Sequence, residues 1–133
     1  MNFRASFCDP FKPDIIEIGN IEQDKIVETF HKIPWSEYLE KMKTAKQKEI
    51  FYSPSLEIEN KDNKNGLSVS AVDGTDWYIF YKRPKLVKRF FGLIERMDND
   101  YLTDIQGQTE KDVIDCINAL INDDLEFLEN KIK

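Results

Sequence analysis

Histidine is nearly missing from this chain, and His31 stands alone among 133 residues. Nucleophilic catalysis of the Ser-His-Asp or Cys-His kind needs an imidazole to move the proton. His31 lies beside Phe30 in a stretch of helical periodicity, and neither Ser36 nor Cys8 sits in a strand-to-helix elbow. It reads as an ordinary helical side chain. Cysteine is almost as scarce. Cys8 and Cys116 are too few and too far apart for a disulfide framework, and they lack the paired spacing of a structural zinc site. Reduced thiols, no metal and no cofactor are the expectation. Asp98, Asp100 and Asp104 lack the twelve-residue calcium loop, and no glycine-rich phosphate loop occurs. The longest apolar run, Trp77 to Tyr81, is far too short to span a bilayer. The first twenty residues are broken by Arg4, Asp9, Pro10, Lys12 and Pro13, which leaves no apolar leader segment.

Positive charge is in deficit as well: 19 basic residues face 25 acidic ones, for a net charge of -6. Long-range repulsion then opposes general affinity for nucleic acid or anionic lipid. A soluble, cytoplasmic protein without a membrane role is expected, with a basic protein as the easier partner. Glycine and proline, five of each, are too rare for a linker-rich or low-complexity chain.

What is present suffices for one core. Hydrophobic residues make up 41% and aromatics 12%, which suits a single domain over residues 1–133. Residues 1–19 read as an irregular N-terminal arm with a short strand at 14–18. Asn20 and Gln23 have the spacing of a helix cap, followed by a stripe of Ile26, Val27, Phe30 and Ile33. Pro34 separates this helix from a second, which carries Trp35, Tyr38, Leu39, Met42 and Ala45 on one side.

From about Ile50 the period becomes twofold. Leu56 and Ile58, then Leu67, Val69 and Ala71, then Trp77, Ile79 and Tyr81 would share one face of a sheet. Asn65-Gly66 and Asp73-Gly74 supply the turns. A fourth strand within 86–97 and a fifth within 101–106 would meet at Asp98-Asn99-Asp100, although Val87, Phe90, Phe91 and Ile94 also fit helical spacing. Thr109 caps a C-terminal helix with Val113, Cys116, Ile117, Leu120 and Ile121 on its inner face. The fold class is α+β: two N-terminal helices, an antiparallel β-meander of about four to five strands, and a C-terminal helix packed on one face.

Three groups of side chains invite a functional reading. The carboxylates Glu57, Glu59 and Asp73 would lie near one another on adjacent strands, the geometry of acid–base hydrolysis, yet a chain this acidic brings carboxylates together by chance. Lys82, Arg83, Lys85, Lys88 and Arg89 interleave with aromatics, as in sites for anions, small ligands or polynucleotides. With Trp77 facing inward, Tyr78, Phe80 and Lys82 face outward beside Glu57 and Glu59. Aromatic anchors in a polar rim are the chemistry of protein interfaces. Either that surface binds a partner, or the arm with Phe3, Phe7 and Phe11 folds back to cover it. The residues therefore favour a non-enzymatic protein-binding module, of the format used by small acidic inhibitors and immunity proteins; a ligand or nucleic-acid binder using 82–91 is the alternative.

Overall fold

The computed structural model describes residues 2–73 and 75–133, without the side chain of Arg89; Gly74 of the expected Asp73-Gly74 turn therefore lies outside the described residues. The protein is α+β. Its elements run β1 (Phe3–Cys8), β2 (Ile16–Ile21), α1 (Ile26–Lys32), α2 (Trp35–Thr44), β3 (Ser55–Asn60), β4 (Asn65–Ala71), β5 (Trp77–Arg89), β6 (Ile94–Gln108), α3 (Glu110–Ile121) and α4 (Leu125–Lys131). The strands form one antiparallel sheet in the order β2-β1-β3-β4-β5-β6.

Strict alternation sets which side of the sheet is buried. Phe3, Ala5 and Phe7 of β1 pair with Asn60, Ile58 and Leu56 of β3, and the same face continues through Val69 and Leu67 to Ile79 and Tyr81. All the apolar members of this row are buried. The helices close over it. Trp35 of α2 meets Trp77 edge-on at 5.0 Å between ring centroids, with Phe30 and Phe7 packed at 5.5 and 5.9 Å from Trp35. Each such ring removed from water contributes about 3 kcal/mol. The indole of Trp35 donates its N–H to the Phe30 carbonyl at 2.9 Å, so its one polar atom is satisfied in the core.

The helix starts obey local chemistry. Thr109 and Asp112 form a reciprocal capping box, in which the Thr109 hydroxyl accepts from the Asp112 N–H at 3.1 Å and Asp112 accepts from the Thr109 N–H at 2.9 Å. Those bonds, with Lys131 alongside, pull the Asp112 carboxyl down to about 2. Val113, Cys116, Ile117 and Leu120 then recur toward the sheet, and Asp124 starts α4 by accepting from the Phe127 N–H. Among the described residues no helix is long and apolar enough to cross a membrane.

Several sequence expectations need correction. The N-terminal arm is not irregular: it forms β1 and β2, and β1 lies inside the sheet. Phe3 and Phe7 belong to the core, so the arm does not fold over the outer rings. Asn20 sits in β2 opposite Arg4 and caps nothing; the first helical turn follows Glu22 without a side-chain cap. Among the described residues there are six strands rather than four or five. β5 and β6 are single long strands, and the turn joining them is Phe90–Leu93 rather than Asp98–Asp100.

That last change creates a distinct element. β4 accompanies β5 only from Trp77 to Lys82, so beyond Arg83 the β5–β6 pair continues as a two-stranded ribbon. Its six further β5 residues carry it about 20 Å past the sheet. Pro84, without an N–H to give, marks the exit, where the register shifts and Asp98 accepts from the Asp100 N–H at 3.0 Å. At the tip Phe90, Phe91 and Gly92 have φ of 54°, 59° and 85°. A left-handed conformation costs a non-glycine residue about 1 kcal/mol.

Candidate functional site

The face of the sheet opposite the helices is built from the other half of each strand. Arg4 and Ser6 of β1, Glu57 and Glu59 of β3, Gly66 and Ser68 of β4, Phe80 and Lys82 of β5, and Leu102 of β6 stand side by side through consecutive register pairs. They line an open groove of about 440 Å³ together with Glu17. Gly66 keeps its floor low, since a Cβ there would come within 3.2 Å of the Ile58 carbonyl oxygen.

The five residues expected at a partner surface are all on this side. Tyr78 stacks on Phe80 with ring centroids 4.4 Å apart and planes at 14°, and its hydroxyl donates to Asp104 on β6. The stack is half-buried, which leaves an aromatic plate flush with the sheet. Lys82 is exposed at one end of the groove. Glu57 accepts hydrogen bonds from Ser6 Oγ at 3.3 Å and from Cys8 Sγ at 3.8 Å, while Glu59 stands opposite Arg4. Arg4 is held by Glu17 on β2 at 2.8 Å, which lowers the Glu17 carboxyl below its usual range. Burial, helped by Glu57, pushes the Cys8 thiol up to about 11, so it is a proton donor to the carboxylate and not a nucleophile at neutral pH.

Sequence reasoning missed Arg4, Ser6, Glu17, Leu102 and Asp104. The alternation of Phe3, Ala5 and Phe7 with Arg4 and Ser6 was the available signal for the first two. Nothing local marks the others, whose position depends on which strands become neighbours.

The basic segment is dispersed. Arg83 points to the inner side, where its guanidinium holds Glu129 through bonds of 2.8 and 2.9 Å and reaches Thr103 Oγ1 at 2.6 Å. It also lies over the Tyr81 and Tyr101 rings, and it is almost fully buried. Such a cation is spent on structure. Lys85 shares Glu129 at 3.4 Å, Lys82 belongs to the outer groove, and Lys88 lies out on the ribbon opposite Glu95. The Arg89 side chain lies outside the described residues. These five do not converge on one anion.

Other candidates separate likewise. His31 is an exposed α1 residue with Glu110 3.9 Å away. Cys8 and Cys116 lie on opposite sides of the sheet, one on the outer face and one in the core. Asp73 does not join Glu57 and Glu59; it organises its own loop by accepting from the Thr75 and Asp76 N–H groups at 2.9 Å each, which lowers its carboxyl. Among the described residues no three histidine, cysteine, aspartate or glutamate side chains gather as a metal site. The chain matches no known protein family, no curated protein and no solved structure.

Proposed function

We propose that this protein is a non-enzymatic binding module that captures a protein partner on the outer face of its sheet, in the manner of a small inhibitor or immunity protein. One observation carries the reading: the stacked pair Tyr78–Phe80 adjoins a groove whose wall bears Glu57 and Glu59. Rings held flat by strand pairing lose little freedom on docking, and half-buried aromatics are the usual anchors of an interface. The carboxylates would steer a basic partner and the aromatics would then be desolvated against it.

Tyr78→Ala with Phe80→Ala tests this, because both side chains lie off the core. Pull-down from the native cell with the intact chain as bait identifies the partner, and calorimetry then compares the two forms. The variant should keep its unfolding midpoint and bind at least about tenfold more weakly. Equal affinity would remove this face from consideration. The rival reading, a small-ligand or polynucleotide site on 82–91, is weakened by the burial of Arg83 under Glu129.

A further inference from the structure

The ribbon formed by the outer halves of β5 and β6 ends in a knob of apolar side chains. Phe90, Phe91 and Leu93 are 70%, 106% and 85% exposed, and Leu86, Ile94 and Met97 behind them are about half exposed. Six large apolar groups on a projecting turn are far outside the ordinary scatter of surface hydrophobics. Their backbone is held left-handed at two phenylalanines in succession, a conformation these residues disfavour and which the turn imposes. The knob is convex, so it enters something rather than receiving it.

The charge around it selects the occupant. Between residues 84 and 97 there are four basic residues, Lys85, Lys88, Arg89 and Arg96, against one acidic residue, Glu95. The rest of the chain is acidic enough to leave the whole at -6. A ribbon about 20 Å long exceeds the Debye length of about 8 Å at physiological ionic strength. The tip is therefore screened from the acidic body, which removes the electrostatic objection to an anionic surface that net charge alone raises. We infer that the β5–β6 tip docks on an anionic lipid surface, with Phe90, Phe91 and Leu93 immersed among the headgroups and upper acyl chains while Lys88 and Arg96 meet lipid phosphates and carboxylates.

Two other occupants fit less well. Four of the six apolar groups are aliphatic or thioether and cannot stack on bases, which argues against a single-stranded polynucleotide. A second copy pairing along the free β5 edge would set Lys85 opposite Arg89 across Val87, and like charges in direct cross-strand positions repel.

The experiment uses the full chain with vesicles of phosphatidylcholine alone and vesicles enriched in phosphatidylserine. Co-sedimentation should be at least about tenfold stronger with the anionic vesicles, and should fall by a similar factor for Phe90→Ser with Phe91→Ser and for Lys88→Glu with Arg96→Glu. The tip lies beyond the β4 pairing and its apolar side chains are outside the core, so circular dichroism should report unchanged folding for both. Phe91→Trp adds a direct readout: Trp35 and Trp77 are buried, so a blue shift with anionic vesicles, quenched by brominated acyl chains, reports the tip. Equal partition onto neutral and anionic vesicles, or binding that survives the double serine change, would overturn the proposal. So would a dimer in sedimentation velocity, or binding to an oligonucleotide pool, that the serine changes abolish while vesicle binding is absent.

Discussion

Arg83 shows how much one side chain can decide. It carries a buried charge whose compensation comes from Glu129 on α4, Thr103 on β6 and the Tyr81 carbonyl, and so it ties the last helix to the sheet. Losing one partner of such a pair costs more than replacing the cation with an apolar chain of similar volume, because the orphaned charge stays in the interior. Glu129→Gln should therefore destabilise by about 3 kcal/mol in urea unfolding, and Arg83→Met by less than half of that. The pH dependence has a fixed sign. Bonds from Arg83 hold the Glu129 carboxyl below its usual value, so its contribution is complete above the ordinary carboxylate range and is lost as pH falls through the lowered native value. Glu129→Gln should flatten that acid limb; an unchanged limb would assign it to other carboxylates. The inward aim of Arg83 was legible in principle, because the parity that sends Tyr78, Phe80 and Lys82 outward sends Trp77, Ile79, Tyr81 and Arg83 inward. Grouping it with neighbouring lysines by charge concealed this.

Elements differ in how plainly residues announce them. The strands from Leu56 to Tyr81 alternate in strict parity, and α3 carries both its cap and its stripe, so these were readable, although the β3–β4 reversal falls at 61–64 with Lys64 at φ 61°, and the expected turn pair Asn65-Gly66 lies inside β4. β1 was not. Six residues followed by Pro10 and Pro13 make a weak local signal, and β1 persists because β2 and β3 pair with it on both sides. The β5–β6 turn misled for the opposite reason. Asp98-Asn99-Asp100 has turn chemistry yet forms the irregularity in β6, whereas Phe90-Phe91-Gly92 has one turn residue and makes the reversal. Because the ribbon takes its ladder only from its own two strands, it should be separable. Replacing residues 87–96 with Asn-Gly, so that Leu86 and Met97 flank a two-residue loop, should shift the unfolding midpoint by no more than ~3 °C. A larger loss would show that the ribbon supports the body, which its register denies.

Across the whole molecule, the sheet separates two environments. One side is sealed by helices and the other carries the groove, and the two thiols sample each: Cys116 in the core and Cys8 beneath the outer face. Burial pushes both up to about 11, and neither is accessible. With Ellman's reagent at neutral pH both should react only as fast as the chain unfolds globally. Rapid reaction of Cys8 alone would reveal local opening at the β1–β2 end. The candidate surface was legible only in its central part. Parity within one strand is local, but the neighbourhood of Arg4, Glu17 and Leu102 is a property of strand order, which no short stretch of sequence encodes.

The placement of β1 also governs when this molecule can exist at all. Once made, β1 must wait for Ser55–Asn60 before its second neighbour appears, and the interior stays open until Leu128 and Ile132, both fully buried, have left the ribosome. The cluster of tryptophan and phenylalanine assembled on the first strands thus stays unsealed on the nascent chain until α4, more than a hundred residues downstream of β1, has been made.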